Sequence, residues 1–336
     1  MKPLSSSSSR ELNVCGWQAV SMLFARHPAE VRRLFFDAAT GKRAGELCSQ
    51  LAGQKKVYRQ VEAAELEKIA GTKLHGGIVA IIGERPLNKV TREVLAAWGQ
   101  TKAPLLLLDR VSNANNVGAI VRTAAFFGVQ SIIVPDHPAQ ALPGEAAYRV
   151  AEGGMEFVNF YRVPSLPGFC AELKRTHYLI GTSLRGNQLS PSAVRERGLP
   201  RPPAIILGNE EKGIVPDHPA QALPGEAAYR VAEGGMEFVN FYRVPSLPGF
   251  CAELKRTHYL IGTSLRGNQL SPSAVRERGL PRPPAIILGN EEKGIVPEVA
   301  TQCDRLVKIP GVETVESLNV SAAAAVLCWE FFGRRG

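Results

Sequence analysis

The chain has 336 residues, of which 45% are hydrophobic, and its formal net charge is +9 at pH 7. This composition excludes a largely disordered protein, and the length suggests two globular domains. The basic balance favours a polyanionic partner such as RNA, although excess charge also serves solubility. No apolar run approaches the roughly 18 residues of a membrane span, so we expect a soluble, cytoplasmic protein.

An internal repeat dominates the organisation of the chain. Residues 133–216 recur without change as residues 214–297, an offset of 81 positions. Removing 81 of the 336 residues would leave 255, with every sequence motif at ordinary spacing. The repeated segment carries apolar, strand-like runs, and one core offers a single position for each. We therefore expect one copy to be displaced, misfolded or exchanged between chains.

The first part of the chain predicts a small alternating α/β unit over residues 10–82, after a polar, serine-rich leader at 1–9 that we expect to be disordered. Hydrophobic periodicity predicts three helices, which cover residues 16–24, a stretch ending at Gln54, and 63–70. Short runs rich in β-branched and aromatic residues predict three strands, at residues 30–36, 57–61 and 77–82.

Residues 83–103 are charged, contain Pro86 and predict a linker with a helix over about 91–98. The composition then changes, because residues 104–108 form the continuous apolar run typical of a parallel strand buried on both faces. Helical and strand patterns alternate from there onward. The second part, 104–336, is therefore predicted to form an open parallel sheet with helices on both sides. No GxGxxG fingerprint of a dinucleotide site is present.

Three sequence blocks stand out in this second part. The first is NNVGAIVRTA at 115–124, in which Asn115 or Asn116 can cap a helix, Gly118 permits close backbone approach, and Gly128 can end the helix in the left-handed conformation. The apolar residues of this block fall on one helical face. They are Val117, Ile120, Val121, Ala124 and Phe127. This pattern places Arg122 on the opposite side, as expected for a solvated helix arginine.

The second block is GNEEKGI at 289–295, which follows an apolar strand predicted at 285–288 and has an identical copy at 208–214. The third is IPGVETVESLNVSAA at 309–323, which joins a predicted strand at 306–309 to a helix of small residues. Taken singly, the second block fits a charged turn and the third an alanine-rich helix. A loop at the carboxyl end of a parallel strand is also where open α/β sheets place their ligands.

In this order, the three blocks resemble the motifs of the SpoU/TrmH family of RNA ribose 2′-O-methyltransferases. The resemblance implies a trefoil-knotted methyltransferase domain of the SPOUT superfamily at 104–336, which uses S-adenosylmethionine and forms a homodimer. It also implies an RNA substrate-binding domain of L30e-like, ribosomal-protein-like fold at 10–82, including HGGIVAI at 75–81. The expected substrate is tRNA or rRNA.

The resemblance gives catalytic or positioning roles to five residues: Asn116, Arg122, Glu291, Ser317 and Asn319. The family arginine is assigned as the activator of the 2′-hydroxyl. A guanidinium with a pKa above about 12 is a poor base, so we prefer a phosphate and alkoxide stabiliser that also shuttles the proton. Glu291 is expected to organise the active-site loops, while Ser317 and Asn319 position the ribose and Arg122.

Five further residues are implied to bind the cofactor: Thr263, Gly289, Gly294, Ile309 and Leu318. No metal is expected, because the six cysteines form no CxxC pair and no histidine stands at metal-ligand spacing. We favour the second copy of the repeat as the one that completes the site, since it runs directly into the third block.

One departure from the family pattern opens an alternative. Glu313 stands where the family often has a glycine, and its negative charge would lie near the cofactor pocket. Through Glu313 or the duplication, the chain could be a non-catalytic RNA-binding or assembly protein with the same fold. Methylation of a base, as in another knotted family, is a second alternative.

Overall fold

The computed structural model describes residues 10–181, 199–207, 246–264, 270–288, 295–312, 318 and 320–332. The chain divides into two compact units between Gly234 and Gly235, with Phe126–Gly128 grouped with the second unit. No helix in the described ranges combines the length and apolar character needed to cross a membrane.

The first unit begins with a small four-stranded sheet in the order β1-β4-β2-β3. Its strands are β1 (Glu11–Cys15), β2 (Val31–Phe36), β3 (Val57–Gln60) and β4 (Ile78–Gly83). Strand β4 is antiparallel to β1 and β2, whereas β3 is parallel to β2. The helices are α1 (Trp17–Arg26), α2 (Ala38–Gly41), α3 (Gly45–Gly53) and α4 (Ala63–Ala70). The predicted helices and strands are confirmed, while β1 and α2 were not predicted.

Alternation of side chains places helices on both faces of this sheet. Leu34 and Phe36 of β2 belong to the same apolar cluster as Leu23 of α1 and Leu51 of α3. The intervening Phe35 packs in a different cluster, which contains residues of α4. The sequence period of two in the strands therefore decides which helix each residue meets.

The first unit continues into a six-stranded sheet in the order β5-β8-β7-β6-β10-β9, in which all neighbours are parallel. Its strands are β5 (Asn88–Lys89), β6 (Leu105–Leu108), β7 (Ser131–Pro135), β8 (Asn159–Val163), β9 (Tyr178–Gly181) and β10 (Pro203–Leu207). The predicted open parallel sheet is confirmed. The stretch predicted as a linker contributes the edge strand β5.

Helices cover both faces of the parallel sheet, as predicted. They are α5 (Arg92–Thr101), α6 (Ala114–Phe126), α7 (Glu145–Ala151) and α8 (Leu166–Leu173). Ile132 and Val134 of β7 pack in the cluster that contains residues of α6 and α7. Ile133 between them packs in the cluster that contains Trp98 of α5 and residues of α8. A strand buried on both faces explains why this part of the sequence is continuously apolar.

The second unit contains a three-stranded parallel sheet in the order β12-β11-β13. Its strands are β11 (Tyr259–Thr263), β12 (Pro284–Ile287) and β13 (Arg305–Val307). The helices are α9 (Leu247–Leu254), α10 (Pro272–Glu277), α11 (Pro297–Ala300) and α12 (Val320–Phe332). Ile261, Val275, Val307 and Leu327 form one of its apolar clusters.

The two copies of the repeat fold into different sheets. Strand β10 of the first copy pairs with β6, from Ala204 opposite Leu105 to Leu207 opposite Leu108. The identical residues of the second copy form β12, which pairs with β11 in the second unit. The second copy is thus the one displaced from the β6 edge. The second copy nevertheless lies next to β13, the strand that leads into the third block, because its strand β11 pairs with β13.

Within the first unit, a buried carboxylate joins the N-terminal module to the parallel-sheet module. The Glu156 side chain is only 1% exposed and accepts a hydrogen bond of 2.6 Å from Nη2 of Arg85. Nδ1 of His27 lies 2.7 Å from the same carboxylate. Arg85 also donates from Nε to Glu30 and lies over the Tyr148 ring, where burial raises the pKa of the phenol to about 12. A buried charge with several partners fixes the two modules against each other.

We predict that deletion of residues 136–216 gives a 255-residue protein that unfolds in one calorimetric transition, whereas the full chain, with two compact units, shows two. The variant has a single strand that fits the β6 edge. Deleting residues 217–297 instead yields the same sequence, so one variant tests both copies. Two transitions in the short protein would contradict the expectation.

We also predict that Glu156→Gln lowers the free energy of unfolding by about 1.5–3 kcal/mol, because Arg85 loses its buried anionic partner. The matched control is Glu65→Gln, which removes an ion pair to Arg59 that is exposed on both sides and should change stability by less than about 1 kcal/mol. Urea unfolding followed by tryptophan fluorescence measures both. Equal losses in the two variants would show that Glu156 has no special role.

Candidate active site

The first sequence block forms helix α6, and its boundaries depend on two local interactions. Oδ1 of Asn113 accepts a hydrogen bond of 2.8 Å from the backbone N–H of Asn115, so Asn113 caps the helix. The prediction of Asn115 or Asn116 as the cap is wrong by two or three residues. At the other end Gly128 has a φ of 75°, and Val129 N–H bonds to the carbonyl of Ala124, as predicted for a left-handed terminus.

The apolar face of α6 is largely as predicted. Val117, Val121 and Ala124 are buried in the main cluster of the first unit, and Ile120 packs against it. The prediction is wrong for Phe127, which lies beyond the last helical residue and is 42% exposed. Helical spacing does not hold past Phe126.

Arg122 is buried, in contrast to the solvated position that the helical pattern indicates. Its side chain is 2% exposed, and Nη1 lies 2.7 Å from Oε1 of Glu152. Glu152 follows α7, has a left-handed φ of 44°, and leaves 44% of its side chain exposed. The turn after α7 therefore covers α6 at Arg122, where the helical pattern indicates solvent.

Glycines allow this close packing. A Cβ on Gly118 would lie 2.5 Å from the carbonyl oxygen of Ala147 and 2.8 Å from Cβ of Val150, so α6 and α7 approach each other at this point. A Cβ on Gly154 would lie 3.2 Å from Cα of Arg122. The Gly153-Gly154 pair thus serves packing against α6 and α1, not a nucleotide loop. Nothing in the sequence marks Glu152 as a functional residue except its position immediately before Gly153.

Asn116 and Arg122 lie on the same helix but not on one face. They are six positions apart, whereas side chains on a common face are three, four or seven positions apart. Asn116 is exposed near the N-terminus of α6, and Arg122 is buried two turns further on. The structure thus gives the two predicted catalytic residues of this block different surroundings.

The second unit carries the described part of the predicted cofactor site. Thr263 ends β11 opposite Val307 of β13, and Gly262 lies opposite Ile287 of β12. Because the three strands are parallel, Thr263 and Ile309 come to the same carboxyl edge. Five predicted residues, Gly289, Glu291, Gly294, Ser317 and Asn319, lie outside the described residues, as does Glu313.

The surroundings of Ile309 suit the adenosine part of a cofactor. Its side chain packs against the apolar cluster of Ile261, Val307 and Leu327, and Leu318 is buried as well. Among the residues that the structure describes, neither the N–H nor the C=O of Ile309 has a hydrogen-bond partner. An apolar wall next to free backbone groups can bind the faces and polar edge of a purine.

Among the described residues, three cysteines are poorly suited to nucleophilic chemistry. Burial raises the pKa of the Cys15 thiol to about 11, of Cys170 to about 12 and of Cys303 to about 11, so these thiols stay protonated and are poor nucleophiles at neutral pH. Across the described ranges, no group of three or more His, Cys, Asp or Glu side chains could hold a metal ion.

Comparison with known proteins assigns both parts of the chain. Residues 103–223 and, overlapping them, 214–329 each match the model of the SpoU rRNA Methylase family. Residues 13–87 match the model described as RNA 2′-O ribose methyltransferase substrate binding. The two matches to one model correspond to the two copies of the repeat.

Two relatives by sequence agree with these matches. The chain is 33% identical over 172 residues to an uncharacterized tRNA/rRNA methyltransferase of Haemophilus influenzae, covering 51% of this chain and about half, 48%, of that protein. It is 33% identical over 179 residues to the 23S rRNA (guanosine-2′-O-)-methyltransferase RlmB of Acinetobacter baylyi, covering 52% and 69%. A crystal structure of an RNA 2′-O ribose methyltransferase aligns with a TM-score of 0.49 at 16% identity, covering 97% and 89%.

We predict that Gly118→Ala lowers the free energy of unfolding by about 1–3 kcal/mol, because the added methyl group overlaps Ala147 and forces α6 away from α7. The matched control is Gly45→Ala at the start of α3, where a Cβ meets no atom within 4 Å. This change should be neutral or stabilising by up to about 1 kcal/mol. Urea unfolding compares the pair, and a neutral Gly118→Ala would contradict the close packing.

Proposed function

This chain belongs to the SpoU rRNA methylase family, and we propose that it transfers a methyl group from S-adenosylmethionine to a ribose 2′-hydroxyl of RNA. The family-model matches cover most of the chain and supply both the catalytic and the substrate-binding parts. The observation that carries the proposal is the position of Arg122, the family arginine, held beside a carboxylate within the matched region.

When bound, S-adenosylmethionine supplies a methyl group activated by its sulfonium. The residues of this chain that would hold it are Thr263, Ile309 and Leu318, together with Gly289 and Gly294. The free backbone groups of Ile309 would pair with the adenine edge. Holding the donor and the ribose in line lowers the entropic part of the barrier, which is the main contribution open to the protein in such a displacement.

Arg122 would bind an RNA phosphate and stabilise the alkoxide that develops on the 2′-oxygen. Its planar fork of donors matches a phosphate, and its pairing with Glu152 keeps the guanidinium oriented before RNA arrives. Asn116, Glu291, Ser317 and Asn319 would position the ribose and the active-site loops. The guanidinium has only N–H donors, so the proton of the hydroxyl would pass to water rather than to Arg122.

Ribosomal RNA is the substrate class that the relatives favour. RlmB of Acinetobacter baylyi is named for guanosine 2′-O-methylation of 23S rRNA, and the Haemophilus relative for tRNA or rRNA. We propose rRNA first and tRNA second, with the N-terminal module selecting the site by RNA shape. A trefoil knot in the methyltransferase domain, a homodimer and a cytoplasmic location complete the proposal.

A non-catalytic RNA-binding or assembly protein is the alternative that one observation favours. Strand β6, which precedes the first block, pairs with the first copy of the repeat. The strand of the third block instead pairs with the second copy. A chain whose first and third blocks are joined to different copies of the repeat could retain RNA binding and lose methyl transfer.

We predict that the protein, incubated with methyl-labelled S-adenosylmethionine and unmodified rRNA, yields labelled 2′-O-methylnucleosides after digestion. Arg122→Lys keeps the charge but loses the fork, and should reduce the rate by about 100-fold or more, as for a lost transition-state donor. Cofactor binding by calorimetry and a thermal melt establish that the variant is folded.

Three results would each overturn a different part of this proposal. Labelled bases would exclude ribose as the target. RNA binding without methyl transfer would favour the alternative, and the 255-residue variant would then reveal whether the duplication is the cause. An Arg122→Lys variant with full activity would remove Arg122 from the catalytic group.

A further inference from the structure

The first unit has a large groove that lies outside the predicted catalytic and cofactor residues. Its volume is about 1210 Å³, larger than the roughly 300–1,000 Å³ typical of a small-molecule site. One wall is the segment from Glu84 to Leu95, which includes β5 and the start of α5. The other wall consists of the end of β8 and the first turn of α8, with Phe169 in its lining.

The charges of the groove fall into two classes. Arg85 and Arg162 are neutralised, the first by Glu30 and Glu156 and the second by Asp136 at 2.5 Å. The second class contains three exposed cations: Arg10, Lys89 and Arg92. Within the described part of the chain, no carboxylate lies in ion-pair distance of these three, while two acidic side chains, Glu84 and Glu172, also line the groove.

The groove shares an edge with the first sequence block. Asp136 follows β7 and Val163 ends β8, so the groove opens at the carboxyl ends of strands that are parallel to β6. The loop after β7, which brings Leu142 into the groove, bonds to the loop that starts α6. Ala141 N–H donates to the carbonyl of Val111 at 2.9 Å, and Nε2 of Gln140 donates to the same oxygen.

The geometry points to a second RNA contact: the groove binds the phosphate backbone of a single-stranded segment that flanks the methylated nucleotide. This inference rests on the proposed function for the identity of the polyanion. Three cations without carboxylate partners supply sites for successive phosphates, and the volume suits a polymer. The contact between the loop after β7 and Val111 would let the same RNA strand continue toward the start of α6.

The test measures binding of a fluorescein-labelled 15-nucleotide oligouridylate to the full chain as a function of salt. The groove variant combines Arg10→Gln, Lys89→Gln and Arg92→Gln. Each lost phosphate contact lowers the slope of log K against log salt by about 0.7, so the slope should fall by about 2. Affinity at low salt should weaken by about tenfold or more.

A matched control removes the same charge from the far ends of α5 and α8, the two helices whose first turns line the groove. It combines Lys102→Gln with Lys174→Gln and Arg175→Gln, exposed residues at the C-terminal ends of α5 and α8. The control should keep the wild-type slope. An unchanged slope in the groove variant, or an equal fall in both, would overturn the inference, because general charge would then explain the binding.

Failure of the proposed function has a different signature. If the groove variant lowers the salt slope while the wild-type protein forms no 2′-O-methylnucleoside, the groove binds RNA and the catalytic proposal is wrong. If methyl transfer occurs and the groove variant binds like the wild type, the enzyme is established and the groove is not its RNA contact. Thermal melts of both triple variants exclude misfolding as the cause.

Discussion

The pairing of β6 with β10 is the constraint on which the larger sheet depends, because the edge of a strand has room for one neighbour. Each residue of β6 from Leu105 to Leu108 faces its partner in β10. The chain contains a second strand of the same sequence, and its backbone groups need partners of their own. Strand β12 finds them in β11, whose other neighbour is β13. The duplicated strands therefore form two different sheets. As a result, the strand before the first block and the strand before the third block pair with different copies of the repeat.

Sequence was sufficient for most of the secondary structure and for the two-sided burial of the parallel sheet. A run such as Leu105–Leu108 has few alternatives once helices flank it. The pattern did not predict β5, which has only two residues and exists through its pairing with β8. Nor did it predict the burial of Arg122. The periodicity of α6 shows which residues share a face, but it does not show which other helix covers that face. The sequence pattern did not predict α7, a seven-residue helix that packs against α6 at Gly118. For identical copies, sequence cannot say which one joins β6.

The net charge of +9 does not show where a polyanion would bind. The structure separates cations that are paired inside the protein from cations that are exposed. Arg85 is paired with Glu156 inside the protein, where it stabilises the packing of the two modules. Lys89 and Arg92, a few residues further along, are exposed and close no ion pair within the described ranges. Buried pairs persist at high salt, whereas contacts of exposed cations with a polyanion weaken. Salt dependence therefore separates structural charges from those that bind.

The Arg122–Glu152 pair limits how the arginine can take part in the proposed reaction. An arginine that is 2% exposed cannot turn out to solvent without loss of packing, but its partner is 44% exposed and lies at the end of a short helix. Exchange of one anion for another at a buried guanidinium leaves the cost of burying the cation unchanged. The carboxylate of Glu152 is partly exposed and can return to water, so in the proposed reaction a phosphate would replace it with little rearrangement of α6. In the proposed reaction, the carboxylate would orient Arg122 while RNA is absent, and the phosphate would take its place at the guanidinium.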